Sequence, residues 1–410
     1  MKNLLDRDLK IEQTIALLTP LLILLNYLGR GLFNTALAII ALMLIYTFYK
    51  NKEQFHIILR DKLVLYWSVF AIFVAISVPF AINFKFSISK FDTFLFSSYV
   101  PLLASLFLYV YSINKQKNFL LAIKIFFFTA IVMESITIFN ITNGMDLLHY
   151  IKTSEIRPQL NSYHLREVFT SAIMPLIIMY YYYKPSRIKL LLIIVSFVGI
   201  LASTSRTAMI ATLISLFVYI LIKNRFKIFN RDFIVMPIIV ILAMGISFYI
   251  SPEIKQRVES FKTTFTSKGD RMSGRFTVYK ESFEYFLKSP IVGNGIKSAN
   301  YLHKKNLFTK IGKHPHNIWL EILMDSGIVG MIGFLSFVGY LLLSVIKAKT
   351  DSSLIKATMW ATLISVALSS LASWSIWSGN HIGSFMVLVV IIYSLRNLQE
   401  DEVFLALHHK

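Results

Sequence analysis

Residues 63–82 read LVLYWSVFAIFVAISVPFAI, twenty consecutive positions without a charged side chain. Coiled as a helix, such a run covers the roughly 30 Å of a bilayer's hydrocarbon, and in lipid a helix satisfies its own backbone polar groups. Outward from it, comparable runs recur near 13–29, 31–49, 94–112, 119–141, 167–183, 188–204, 207–222, 233–250, 326–346, 354–377 and 383–396. The pattern predicts an all-α membrane protein of about twelve transmembrane helices. Composition agrees, with 56% hydrophobic and 16% charged residues and a mean hydropathy of +0.62, far from the balance of soluble domains. Lys2, Arg7 and Lys10 precede the first run as in a secretory leader, but no small-residue cleavage site precedes the second, so the first is expected to be retained. The chain has no cysteine, which excludes disulfides, thiolate nucleophiles and Cys-based metal sites.

A net charge of +20 would suggest nucleic acid in a soluble chain. Here much of it sits in short connections: Lys50, Lys52, Arg60 and Lys62; Lys115 and Lys117; Lys184, Arg187 and Lys189; Lys223, Arg225, Lys227 and Arg231; Lys347, Lys349 and Lys356. The positive-inside rule puts these and both termini in the cytoplasm of a bacterial inner-membrane protein, with no nucleic-acid partner. Residues 1–250 would hold nine transmembrane helices, 251–315 one large periplasmic loop, and 316–410 the last three helices and a short cytoplasmic tail. That loop carries thirteen Lys and Arg against five Asp and Glu, against the charge rule. A polyanionic substrate would account for it, and so would anionic lipid headgroups. Within it, Phe276, Tyr279, Phe283 and Leu287 recur at helical spacing between Gly274 and Pro290, predicting an amphipathic helix lying on the membrane domain, with Arg275 in its first turn.

Three places could carry chemistry. Arg206 lies in Ser203-Thr204-Ser205-Arg206-Thr207, a polar break so short that the flanking runs must form a tight hairpin; its guanidinium can grip phosphate oxygens in bidentate fashion, or can simply snorkel. Arg275 opens a helix, where the dipole disfavours a cation by a few tenths of a kcal/mol unless an anion is bound. His314-Pro315-His316-Asn317 precedes the tenth apolar run. A neutral imidazole there can accept a proton from a sugar hydroxyl, and can equally be an interfacial side chain bonded to a carbonyl; a His-x-His zinc site lacks a nearby third ligand. Arg157, His164, Arg166 and Glu167 of the second external loop could help form an entrance. Glu134 lies inside an apolar run, where a carboxyl is costly and either functional or paired. Glu321 and Asp325 follow His316 off its helical face and read as structural, and His408-His409 as solvated tail. No phosphate loop, Gly-rich dinucleotide fingerprint or Asp-x-Asp pair occurs, which argues against cytosolic nucleotide chemistry.

The stretch HPHNIWLEILMDSGIVG, residues 314–330, resembles the signature of the O-antigen ligase and O-antigen polymerase superfamily. Thr204-Ser-Arg206-Thr-Ala resembles that family's arginine at an outer hairpin, and Gly274-Arg275-Phe-Thr-Val-Tyr with Lys288-Ser-Pro-Ile-Val-Gly-Asn-Gly295 its loop motif. The resemblance implies a membrane glycosyltransferase, closest to the ligases, that moves a glycan from undecaprenyl diphosphate to a sugar hydroxyl of lipid A-core with inversion and with neither metal nor cofactor. It implies Arg206 and Arg275 on the diphosphate and His316 on the acceptor; Arg166, His314 and Arg271 are expected beside them as substrate-binding residues. His314 has no counterpart role in the pattern and could share that of His316. A polymerase joining lipid-linked repeat units is the alternative. A transporter or flippase is the rival of another class, disfavoured because the informative charges are external and no internal repeat is visible.

Overall fold

The computed structural model describes residues 2–154, 167–203, 205–227, 231–250, 275–305, 314–371 and 374–398. Each expected apolar run contains a helix. In chain order the helices are α1 (Lys2–Leu28), α2 (Arg30–Lys50), α3 (Lys52–Leu59), α4 (Lys62–Ser77), α5 (Phe84–Leu106), α6 (Lys115–Asn143), α7 (Leu147–Thr153), α8 (Glu167–Tyr183), α9 (Arg187–Ala202), α10 (Arg206–Lys223), α11 (Arg231–Ile250), α12 (Arg275–Lys288), α13 (Ser298–Lys304), α14 (Ile318–Ile346), α15 (Ser353–Ser370) and α16 (Gly379–Leu395). Among the described residues there is no strand.

This is an all-α membrane protein; among the described residues eight helices are long and apolar enough to cross a bilayer, fewer than the twelve expected. The difference lies in helices such as α8, α9 and α16, which hold only 17, 16 and 17 residues. At 1.5 Å per residue these fall short of the roughly 20 residues a span needs. The exposed surface suits lipid: Leu65, Ile72 and Ile76 on α4, and Ile328, Ile332, Leu335, Leu343 and Ile346 on α14, face outward.

Inside, α4 packs on α14 and α5 on α16 around an aromatic cluster, with Trp67 4.9 Å from Phe337 and Phe94 5.3 Å from Trp377 between ring centroids. The Trp67 indole N–H donates to Ser98 Oγ at 3.1 Å. Beside this group, α15 packs against α8 and α10 through a buried row of small hydroxyl residues, Thr358, Thr362, Ser365 and Ser369, spaced at i, i+4, i+7 and i+11. Small side chains let helix backbones approach closely in lipid, where apolar burial alone gives no preference for protein over acyl chain. Glu134 of α6 is fully buried facing α9, and Gly199 makes its room: a Cβ there would fall 2.3 Å from Glu134 Oε2.

The expected run 326–346 begins earlier, at Ile318, and is broken inside at Gly327 (φ 62°, ψ −163°). The break frees backbone groups, and the segment Ser289–Gly295 takes them up. Asn294 N donates to Met324 O at 3.0 Å and Gly295 N to Asp325 O at 2.9 Å, while Ile328 N donates to Pro290 O at 2.9 Å and Val329 N to Ile291 O at 3.1 Å. The Asn294 amide adds a bond to Met324 O at 2.9 Å. The same segment holds the α4–α5 corner, where Ile82 N donates to Asn294 O at 3.0 Å and Ile296 N to Ser87 Oγ at 2.9 Å.

Two further expectations are corrected. The run 354–377 ends at Ser370, and Trp374–Trp377 belong to the link into α16. The amphipathic helix exists as α12, but Val278, Ser282 and Tyr285 face Met324, Ala299 and Leu302, while Phe283 and Leu287 of the expected apolar stripe are exposed. Backbone docking of the next segment fixes the roll of α12, and in lipid an apolar stripe need not be covered by protein.

Gly327→Ala would demand a conformation that L residues rarely adopt and put a Cβ 2.3 Å from Ile291 O. The expected loss is at least 2 to 3 kcal/mol, roughly the sum of backbone strain and one or two buried groups left unsatisfied. Thermal unfolding in detergent measures it against Gly339→Ala, where nothing lies within 4 Å and little change is expected.

Candidate active site

The start of α14 is built by its cap. Asn317 is the N-cap, its Oδ1 accepting from Leu320 N at 3.1 Å. His316 just before it takes a left-handed conformation, φ 58°, uncommon for a residue with a Cβ and costing on the order of 1–2 kcal/mol. That turn folds His316 back on His314: the ring centroids are 4.1 Å apart, and His316 N donates to His314 Nδ1 at 3.2 Å. His314 Nδ1 is therefore an acceptor, which leaves Nε2–H as a donor. Burial, followed by the charges of His316, His381 and Lys297, pushes the His314 pKa down to about 2, so its ring is neutral through the physiological range. Because His316 precedes the cap, its relation to Glu321 and Asp325 is not the 100° geometry of a shared helix that the sequence reading assumed.

Those two carboxyls are structural, as expected. Glu321 accepts from Ser375 Oγ at 2.7 Å and from Ile376 N at 3.0 Å, holding the α15–α16 link beside α14. Asp325 accepts from Lys297 N at 2.9 Å, Ser298 N at 3.1 Å and Ser298 Oγ at 2.5 Å, fixing the start of α13. Lys297, itself left-handed at φ 61°, is thereby held near the histidines. Burial lowers its pKa, with Glu321 opposing and Arg30 and Lys90 adding to the shift.

The three motifs meet at the end of α15. Trp319 Nε1 donates to Ser370 Oγ at 3.2 Å, which ties the first turn of α14 there. Tyr279 Oη donates to Leu371 O at 3.1 Å, which brings the first turn of α12, headed by Arg275, to the same place. α10 runs antiparallel to α15, Tyr219 near its end lying beside Thr358 near the start of α15, so the α10 N-terminus reaches that end too. Ser205 caps it, Oγ accepting from Ala208 N at 3.4 Å, with Arg206 as the first helical residue. For Arg206 and Arg275 only the backbone is described. Arg157, His164, Arg166, Arg271 and His408-His409 lie outside the described residues, as does the Glu167 side chain.

Sequence reasoning overlooked His381 and Lys297. His381 sits in the first turn of α16, its ring 6.0 Å from Phe169 and 6.5 Å from Trp374, close enough to His314 to influence it. A histidine opening an apolar run was the available signal. Lys297 gave none, being one cation among many. Among the described residues no three His, Asp or Glu side chains converge as metal ligands.

The pH dependence follows from His314. Its folded pKa is depressed from 6.5, so the stabilisation is fully present above about pH 6.5 and is lost as pH falls, where the unfolded chain takes up a proton that the folded chain refuses. The unfolding midpoint in detergent should fall between pH 7 and pH 5 more steeply in wild type than in His314→Asn. Equal slopes would show that His314 titrates normally.

A family model described as O-Antigen ligase matches residues 191–335. The match takes in α9 to α13 and α14 past its break, and with them Arg206, Arg275, His314, His316, Glu321 and Gly327. Comparison with curated proteins gives no match. The family includes ligases and polymerases, membrane glycosyltransferase-like enzymes that act on lipid-linked glycans. Over residues 191–335 the chain is therefore similar to the O-antigen ligase superfamily, the resemblance its three motifs carry.

Proposed function

We propose that this chain is an O-antigen ligase of the bacterial inner membrane, moving a glycan from undecaprenyl diphosphate to a sugar hydroxyl of lipid A-core. The observation that carries the reading is the meeting of the α10, α12 and α14 N-terminal turns at the end of α15. Two of those turns begin with arginine and the third follows directly on a histidine pair. Helix N-termini present free N–H groups and positive dipole ends, so this end of the bundle suits a diphosphate. The positive-inside rule supports putting it at the periplasmic face, with twelve crossings, both termini cytoplasmic and 251–315 as an outer loop. The short helices α8, α9, α10 and α16 would then cross by thinning the bilayer locally.

The donor arrives already activated, so the chain's task is to orient and to stabilise charge. Arg206 and Arg275 bind the diphosphate and offset the negative charge that grows as it leaves. His316 lies against a neutral His314 and takes or orients the proton of the attacking hydroxyl. In-line attack inverts the anomeric carbon. Arg166 and Arg271 add cations along the loops for the anionic substrate. The left-handed backbone at His316 fits a side chain held in position for use.

Purified protein with a lipid-linked glycan and core acceptor supplies the test. His316→Ala should lower kcat/KM by roughly 10² to 10³, and Arg206→Lys, which keeps charge but loses the bidentate fork, by at least about tenfold. In deletion cells, His316→Ala should leave bare core while long lipid-linked polymer accumulates. Core carrying a single repeat would assign the chain to the polymerases, and an unchanged ladder would remove His316 from the mechanism.

A further inference from the structure

At the opposite end of the bundle, the start of α4 and the ends of α14 and α16 enclose a cavity of about 490 Å³. Four cations line it, Lys62, Lys347, Lys349 and Arg396, together with Tyr66 and Tyr340, and among the described residues no carboxylate contributes to its wall. Asp61, just before Lys62, has its carboxylate engaged by tyrosines. It accepts from Leu63 N at 2.7 Å, from Tyr111 Oη at 2.6 Å and from Tyr393 Oη at 3.2 Å, and Tyr393 shares a 3.0 Å hydrogen bond with Tyr340. None of the four cations forms an ion pair with a described carboxylate.

The walls are tied to one another. Tyr66 stacks on Tyr340 at 4.8 Å, the Arg396 guanidinium lies 3.5 Å from the Tyr393 ring centre, and Lys349 N donates to Arg396 O at 3.0 Å, locking the α14–α15 link to the end of α16. Four like charges around one cavity repel one another, and at Lys62 the α4 N-terminus adds a further unfavourable term. A bound anion reverses both. Leu343 lines the cavity and is exposed, as are Leu342 and Ile346 beside it, so the cavity opens onto the surface that faces acyl chains.

We propose that this cavity holds the phosphate head group of an acidic phospholipid, its chains lying along Leu342, Leu343 and Ile346. Basic cavities between transmembrane helices on the cytoplasmic side take such head groups, and four cations match one bearing two phosphates. The exposed apolar rim favours a lipid over free phosphate. The site is independent of the proposed transferase chemistry, lying at the other end of the helices, and rests on the membrane reading and on the proposed topology that makes this end cytoplasmic.

The test uses the full-length protein, delipidated in a neutral detergent, and native mass spectrometry with cardiolipin, phosphatidylethanolamine or inorganic phosphate. Cardiolipin should stay bound at one per chain and phosphatidylethanolamine and phosphate should not. Lys347→Gln with Lys349→Gln and Arg396→Gln should weaken cardiolipin by at least tenfold, while Lys50→Gln with Lys52→Gln should leave it unchanged. Equal weakening by both sets would reduce the effect to general surface charge and overturn the site, as would equally tight retention of phosphatidylethanolamine or of phosphate. Deleting residues 399–410, which carry Glu400, Asp401 and Glu402, should change nothing. A tenfold gain on that deletion would assign the cavity to the chain's own tail and refute the lipid.

Discussion

The break at Gly327 and the backbone segment that fills it constrain the rest of the molecule. A helix interrupted within a membrane domain leaves N–H and C=O groups that lipid cannot satisfy, each costing several kcal/mol if orphaned. Ser289–Gly295 supplies partners on both sides of the break, and the glycines at 293, 295 and 327 are required because a Cβ at any of them would strike backbone or Cβ atoms. From that join the first part of α14, residues 318–326, takes its direction. Asp325 then fixes Lys297 and α13, Glu321 fixes the α15–α16 link, and Asn317 closes the helix where the histidines begin.

The residues nearest the proposed chemistry are thus few, and most of the shared motif is scaffold. In HPHNIWLEILMDSGIVG, Asn317 caps, Trp319 and Glu321 tie α14 to both ends of the α15–α16 link, and Gly327 breaks. Only His314 and His316 stand outside this carpentry. Their mutual contact sets the two histidines side by side: His314 Nδ1 accepts from His316 N, which fixes the left-handed turn.

The helices were legible because their apolar runs are long and uninterrupted, whereas Glu321 and Asp325 were read as structural from a helical face shared with His316 that the cap at Asn317 removes. What stayed hidden depended on long-range backbone pairing. Nothing local in residues 318–330 distinguishes a straight helix from one broken at Gly327, since glycine is tolerated within transmembrane helices. The roll of α12 was hidden for a related reason, because an apolar stripe facing lipid and one facing protein have the same periodicity. Lys297 became part of the site only through the fold, which brings it to Asp325 across 28 positions of sequence. Arg206 stood out in the sequence for its tight polar hairpin and Arg275 for its place in a helical first turn, and the structure describes only the backbone of both.

The central claim is that three helix starts, distant in sequence, form one diphosphate site at the end of α15. An experimental structure with undecaprenyl diphosphate bound tests it most directly. The account predicts diphosphate density beside Ser370–Leu371, within reach of Arg206 and Arg275 and on the side of His316. Density at the Asp61 end of the bundle, or at the His316 end but contacting neither arginine, would contradict it.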